Sequence, residues 1–185
     1  MELAAEIELH PLVEKCKQGD TRSYSELYQQ YSRAMFSTCY RLLNNIADAE
    51  DILQESFTDA FRHLHNFEYK SSFGAWLKQI VVNKCVNHLR QKKMVLVDIE
   101  KSAVSHLPDD DPEDEEKIFL QVAAIKRAVQ ELPTGYRTVL CLYLLEGYDH
   151  DEIADILGVA SSTTRTQYKR AKEKLLQILN EGGRS

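Results

Sequence analysis

The chain has 185 residues, 43% of them apolar, which suits one medium domain or two small ones folding without covalent staples. Its formal charge of −6 argues against uniform affinity for nucleic acid, and no apolar run approaches the roughly 18 residues of a membrane span. The acid-containing start MELAAEIELHPLVEK lacks the basic opening and long apolar core of a signal peptide, so a soluble, cytoplasmic protein is expected.

Apolar residues recur at three- and four-residue steps almost everywhere, as in Leu53, Phe57, Ala60 and Leu64, or Ile118, Val122, Ile125, Val129 and Leu132. The pattern predicts an all-α chain with helices near 8–18, 21–44, 47–66 and 71–93, then near 115–131, 134–146, 150–157 and 161–180. The stretch from Gln91 to Glu116 separates the two sets. Its segment LPDDDPEDEEK carries seven acids from Asp109 to Glu116, and such a run repels itself and has nothing apolar to bury. The expected architecture is therefore two small helical domains, 1–92 and 117–185, joined by an acidic flexible linker at 93–116. No internal repeat is present. Cys16, Cys39, Cys85 and Cys141 stand far apart, with no CxxC pair and no histidine cluster. Buried reduced thiols are expected, with no metal site and no cofactor.

In the first domain, Asp48 to Leu64 (DAEDILQESFTDAFRHL) forms an amphipathic helix with Leu53, Phe57, Ala60, Phe61 and Leu64 inward. Asp48, Asp51, Gln54, Glu55 and Asp59 lie outward, either as a solvated acidic face or as a contact for a basic partner. Next comes the aromatic-rich loop Phe67-Glu68-Tyr69-Lys70-Ser71-Ser72-Phe73-Gly74-Ala75-Trp76. It leads into a helix with Lys78, Lys84, Arg90, Lys92 and Lys93 and no acid between Trp76 and Lys93. Rings beside cations suit unpaired bases, since rings stack on bases while lysines hold phosphates. The same rings are equally at home in a core.

In the second domain, Gly147 suits a helix end, and Asp149-His150-Asp151-Glu152 has capping-box spacing before the apolar Ile153, Ala154, Ile156 and Leu157. Gly158 supplies a tight turn, Val159 a plug, and Ser161 or Ser162 a cap for the next helix. That succession is a helix-turn-helix. Thr164, Tyr168, Ala171, Leu175 and Ile178 fall on the inner face of its second helix, leaving Arg165, Thr166, Lys169 and Lys172 outside, where such helices meet base edges and phosphates.

Together these motifs resemble the extracytoplasmic-function sigma factors of the sigma-70 family, over about Gly19 to Leu179 and in the family order. DAEDILQESF is similar to the segment that docks on the β′ clamp helices of core RNA polymerase, and NFEYKSSFGAWL to the segment that captures and melts the −10 element. LPTGYRTVLCLYLLEGYDHDEIADILGV is similar to the domain that holds the −35 element and the β flap. The resemblance implies a non-enzymatic subunit that guides core polymerase to promoter DNA, with an anti-sigma factor as a further partner and no small-molecule substrate. It implies polymerase contacts at Asp48, Asp51, Gln54 and Glu55. For −10 DNA it implies Phe67, Tyr69, Lys70, Ser71, Ser72, Trp76, Lys78, Asn83, Lys84 and Arg90, with Phe67 and the loop through Ser72 cradling a flipped base and Trp76 near the melting fork; the Trp76 ring is large enough to be part packed and part exposed. For −35 DNA it implies Ser161, Ser162, Thr163, Arg165, Thr166, Gln167, Lys169, Arg170 and Lys172. The chain departs from the family's habit at Glu68-Tyr69-Lys70, where an Arg-Gly-Asp-like run is common. It also departs at Thr164 and Tyr168, often aliphatic, and at Gln167, often basic.

Two other classes fit less of the chain. A helix-turn-helix repressor accounts for the second domain and leaves the first unexplained. A helical enzyme lacks a nucleophile motif, a phosphate loop and an HExxH pair, and His63 and His65, two apart on a helix, diverge.

Overall fold

The computed structural model describes residues 10–92 and 115–182, and every regular element among them is helical. The chain divides into two compact units, Met1–Asn87 and His88–Ser185. The predicted linker, 93–116, lies outside the described residues except for its last two, which open a helix.

The first unit begins with α1, Pro11–Lys17, whose proline occupies a first-turn position where no amide donor is needed. Asp20 caps α2, Thr21–Leu43, by accepting from the Arg22 amide at 3.1 Å and the Ser23 hydroxyl at 2.6 Å. A pair of asparagines makes the next corner. Asn44 ends α2 in the left-handed region at φ 53°, and Asn45 caps α3, Ile46–Arg62, by accepting from the Asp48 amide at 3.0 Å. α2 packs on both α1 and α3, burying Leu27, Met35, Cys39, Leu42 and Leu43 from its own side and Ile52, Leu53, Phe57 and Ala60 from α3. A single 3-10 turn, Leu64–Asn66, follows and lies against α1. The loop 67–72 then leads to α4, Phe73–Gln91, which buries Phe73, Leu77, Val81, Val82, Cys85, Val86 and Leu89.

The second unit comprises α5 (Glu115–Glu131), α6 (Thr134–Leu144), α7 (His150–Leu157) and α8 (Ser161–Gly182). α6 is its centre, buried continuously from Gly135 to Leu142. Within it the Arg137 guanidinium donates to the carbonyls of Leu132 at 2.8 Å and Gln130 at 3.5 Å, placing a cation at the carbonyl end of α5. The turn after α6 passes through Gly147 at φ 82°. Asp149 and Glu152 form the expected reciprocal capping box, Glu152 accepting from the Asp149 amide and Asp149 from the Glu152 amide, both at 2.8 Å. Gly158, at φ 64°, reverses the chain toward α8, which packs on α5, α6 and α7.

The expectation that Ser161 or Ser162 caps α8 is corrected. The Thr163 and Thr164 amides bond to the Ala160 carbonyl, so Ala160 holds the cap position and Ser161 is already helical, its Oγ buried without a hydrogen-bond partner. The short Gly158–Ala160 turn puts the cap one residue before the serines, so that the helix begins at Ser161 itself. All four cysteines are buried and outside any disulfide, and burial, seconded by nearby Asp20 and Glu26, pushes the Cys16 thiol up to about 11. Among the described residues no helix is long and apolar enough to cross a membrane.

Candidate nucleic-acid interface

The amphipathic pattern of α3 places Leu53, Phe57 and Ala60 inward as the sequence predicts, while Phe61, expected inward, and Asp59, expected outward, are both half-buried. Ala49, Ile52, Leu53, Ser56, Phe57 and Ala60 are buried, while Asp51, Gln54 and Glu55 stand exposed on the other side and Asp48 is half-buried in the first turn. At the edge of this face α4 intervenes. Lys84 Nζ lies 2.7 Å from Asp59 Oδ2 and 3.6 Å from Glu55 Oε2. The hydrogen bond from Lys84 holds the Asp59 carboxyl below its ordinary range, and the bond to Asp59 raises the Lys84 ammonium above its own. Lys84, expected to meet DNA, is here engaged with α3.

The loop divides its residues between inside and outside. Phe67 is only 3% exposed. Its ring centroid lies 4.6 Å from Tyr69, 5.1 Å from Trp76 and 5.9 Å from Phe73. Packed among three other rings, the Phe67 side chain belongs to the core of the first unit. Trp76 is half-buried, part packed and part exposed. Tyr69 adopts the left-handed region at φ 58° and donates its hydroxyl to Glu14 Oε1 at 2.6 Å, across 55 residues of chain. Burial and the neighbouring Glu14 push its phenol up to about 12. Glu68, Lys70, Ser71 and Ser72 are exposed. Lys70 pairs with Glu68 at 2.6 Å, and Ser72 Oγ accepts from the Ala75 amide at 3.2 Å, capping α4. Along α4, Asn83 and Arg90 are exposed and Lys78 is half-buried.

On α8 the two faces separate. Thr164 and Ala171 are fully buried, and the Thr164 hydroxyl lies 2.8 Å from the Ser161 carbonyl and 3.1 Å from that of His150, tying α8 to α7. Tyr168 packs against Tyr143 at 4.6 Å and His150 at 5.5 Å. Ser162, Arg165, Thr166, Lys169, Arg170 and Lys172 are exposed, with Ser161, Thr163 and Gln167 half-buried at their margin. Arg165 meets Asp151 at only 3.8 Å between two well-exposed side chains, a pair worth little in water. Lys172 rests over the Tyr168 ring at 4.8 Å.

Sequence pattern did not point to Glu14, Lys17, Tyr143 or His150. Glu14 and Lys17 carry an i,i+3 charge spacing, but nothing local announces their partners in the loop. Tyr143 and His150 stack at 4.5 Å beneath Tyr168, a relation visible only once α6, α7 and α8 are assembled.

Comparison with known proteins bears on both units. Sigma-70 region 2 matches residues 27–94 and sigma-70 region 4 matches residues 123–175. The RNA polymerase sigma-H factor of Pseudomonas aeruginosa is 30% identical over 177 residues, covering 91% of this chain and 92% of that protein. The ECF RNA polymerase sigma factor SigW of Bacillus subtilis is 28% identical over 178 residues, covering 91% and 95%. Among solved structures, the sigma factor RpoE of Bartonella quintana, crystallised with the anti-sigma factor NepR, superposes with a TM-score of 0.55 at 21% identity, covering 86% of this chain and 98% of that one. CnrH in complex with the cytosolic domain of CnrY gives 0.54 at 22% identity, covering 92% and 96%.

Two measurements test this geometry. Phe67→Ala should lower unfolding stability by about 3–5 kcal/mol in chemical denaturation, the usual cost of truncating a core ring. A loss under about 1 kcal/mol would return the ring to the surface. The Asp59–Lys84 pair should show in thermal melts against pH. A carboxyl held below its ordinary 3.8 contributes stability above that value and loses it as pH falls further, so wild type should lose more on acidification than Asp59→Asn. Parallel curves would dissolve the pair.

Proposed function

The chain belongs to the extracytoplasmic-function branch of the sigma-70 family and is an alternative sigma factor for transcription initiation; from that premise we propose that it docks on core polymerase through α3, opens the −10 element with the loop before α4, and reads the −35 element with α8. The domains are then 1–92, acting as sigma region 2, and 117–185, acting as region 4, with 93–116 between them. The observation that carries this assignment is the segregation of exposed charge: carboxylates on the outer face of α3, cations on the outer face of α8.

Each surface suits its partner by ordinary electrostatics. Asp51, Gln54 and Glu55 offer acceptors to basic side chains of the β′ clamp helices. Glu68, Lys70 and Ser71, raised on a loop whose base is locked by rings, meet bases leaving the duplex, while Trp76 supplies a partly open ring at the fork. Arg165 and Thr166 lie near the start of α8, where a recognition helix reaches base edges, and Lys169, Arg170 and Lys172 meet phosphates beside them. The exposed Leu144 and Leu145, each 53% accessible, give the second unit an apolar contact for the β flap. An anti-sigma factor covering these faces would keep the protein idle, a reading supported by the anti-sigma factor NepR bound to RpoE. Run-off transcription with core polymerase on genomic fragments tests the assignment, and absence of any specific start would sink it.

Two substitution sets separate its parts. Asp51→Lys with Glu55→Lys should weaken core polymerase binding by about 3 kcal/mol in competition with another sigma factor, since like charges then face each other. Asp51→Lys alone should retain part of that loss, because only Glu55→Lys also places a cation against Lys84. Arg165→Ala should cost about 1–3 kcal/mol and relax preference at one −35 position, whereas Lys172→Ala should weaken every sequence alike and flatten the salt dependence. A −35 library that ranks sequences identically with wild type and Arg165→Ala would remove Arg165 as a base reader.

A further inference from the structure

The −10 loop is held from behind by a helix that lies outside the stretch matched by region 2, which begins at residue 27. Three contacts make the hold. The Tyr69 hydroxyl donates to Glu14 Oε1 at 2.6 Å, Lys17 Nζ donates to the Phe67 carbonyl at 2.9 Å, and Lys17 also sits 4.7 Å from the centre of the Tyr69 ring. Lys17 and Glu14 themselves pair at 3.5 Å, so one turn of α1 grips the loop at both ends of the Phe67–Tyr69 segment. The gripped residue is the one whose backbone is least expected. Tyr69 has φ 58°, a region that bulky side chains rarely enter, and a turn of that hand persists only where surrounding contacts impose it. The residues just beyond it, Lys70 and Ser71, are exposed.

We propose that Glu14 and Lys17 of α1, through Tyr69, are positioning residues for −10 recognition: they impose the left-handed turn at Tyr69 that aims Lys70 and Ser71 at the extruded base. Tyr69 acts through the loop, its hydroxyl already committed to Glu14. The inference rests on the assignment of this loop to the −10 element. A loop without the clasp relaxes toward ordinary backbone angles, so bases are still approached but are discriminated less well, because discrimination depends on placement to a fraction of an ångström.

The test is transcription by reconstituted holoenzyme from a promoter library randomised through the −10 element, beside thermal melts and core-polymerase affinity. Tyr69→Phe, which removes only the hydroxyl, and Glu14→Ala should each reduce preference at the most discriminated −10 position by roughly tenfold, the scale of a lost hydrogen bond to a charged group. Polymerase affinity should stay unchanged. Glu14→Gln keeps an acceptor and should recover most of the preference, and Tyr69→Phe with Glu14→Ala should be no worse than either alone, since both remove one bond. A second arm replaces the loop tip, Lys70→Ala with Ser71→Ala. If the tip variant changes −10 preference and the clasp variants do not, the clasp inference falls and the loop assignment stands. If neither changes it, both fall together. If the clasp variants lower output equally across the whole library in step with their melting temperatures, α1 merely stabilises the fold and the inference is overturned.

Discussion

Burial of Phe67 is the constraint on which the first unit's working surface depends. Its ring sits among Tyr69, Phe73 and Trp76, so the chain is anchored immediately before the loop and again as α4 begins. Only residues 68–72 connect the two anchors, too few to fold back and bury themselves. Tyr69 turns back onto the Phe67 ring and Glu14, and the other four, Glu68, Lys70, Ser71 and Ser72, stand outward with side chains that tolerate it, Ser72 spending its hydroxyl on the cap of α4. The buried phenylalanine thus fixes where the polar tip of the loop protrudes. Apolar burial is the stronger claim on such a ring, since full burial stabilises by about 1.5–3 kcal/mol and competes with a stacking gain of similar size available only when DNA is present.

Charge is arranged by the same economy of position. A net charge of −6 says little once exposed acids gather on α3 and exposed cations on α8. Within the first unit the basic stripe of α4 is not uniform either. Lys84 is drawn toward Asp59 and Glu55, so it joins the base of the acidic face to the helix beside the loop. Basic groups arriving at Glu55 from a partner would compete with Lys84 for that carboxylate, while Asp59 at 2.7 Å keeps the lysine in place. The acidic face and the basic helix are therefore electrostatically coupled neighbours.

Much of this was legible in the sequence, and the illegible parts share a cause. Helix number, the inward residues of α3, the Asp149–Glu152 box, the turn at Gly158 and the outward cations of α8 follow from periodicity and local capping chemistry, which act within a few residues. The fate of Phe67, the engagement of Lys84 and the clasp of Glu14 on Tyr69 depend on residues brought together from distant positions. An aromatic in a loop carries the same letter whether it points inward or outward. The mistaken cap at Ser161 or Ser162 has a local cause: a serine after a glycine turn is a good cap by chemistry, but the chain turned tightly enough at Gly158 for the Ala160 carbonyl to take the first helical bonds.

The second unit separates the residues that orient α8 from those it exposes. The direction of α8 is set on its inner side, where the Thr164 hydroxyl contacts α7 and Tyr168 leans on Tyr143 and His150. Threonine and tyrosine there, in place of aliphatic residues, add directional contacts to what would otherwise be slippery apolar packing, and a hydrogen bond fixes rotation about the helix axis better than dispersion does. The outer side carries Arg165, Thr166, Lys169 and Arg170 with little holding them to the body of the protein, Arg165 having only a 3.8 Å surface partner. Residues that orient the helix and residues that face outward from it are thus nearly disjoint sets. The outer positions can then be substituted while the inner ones keep the direction of the helix.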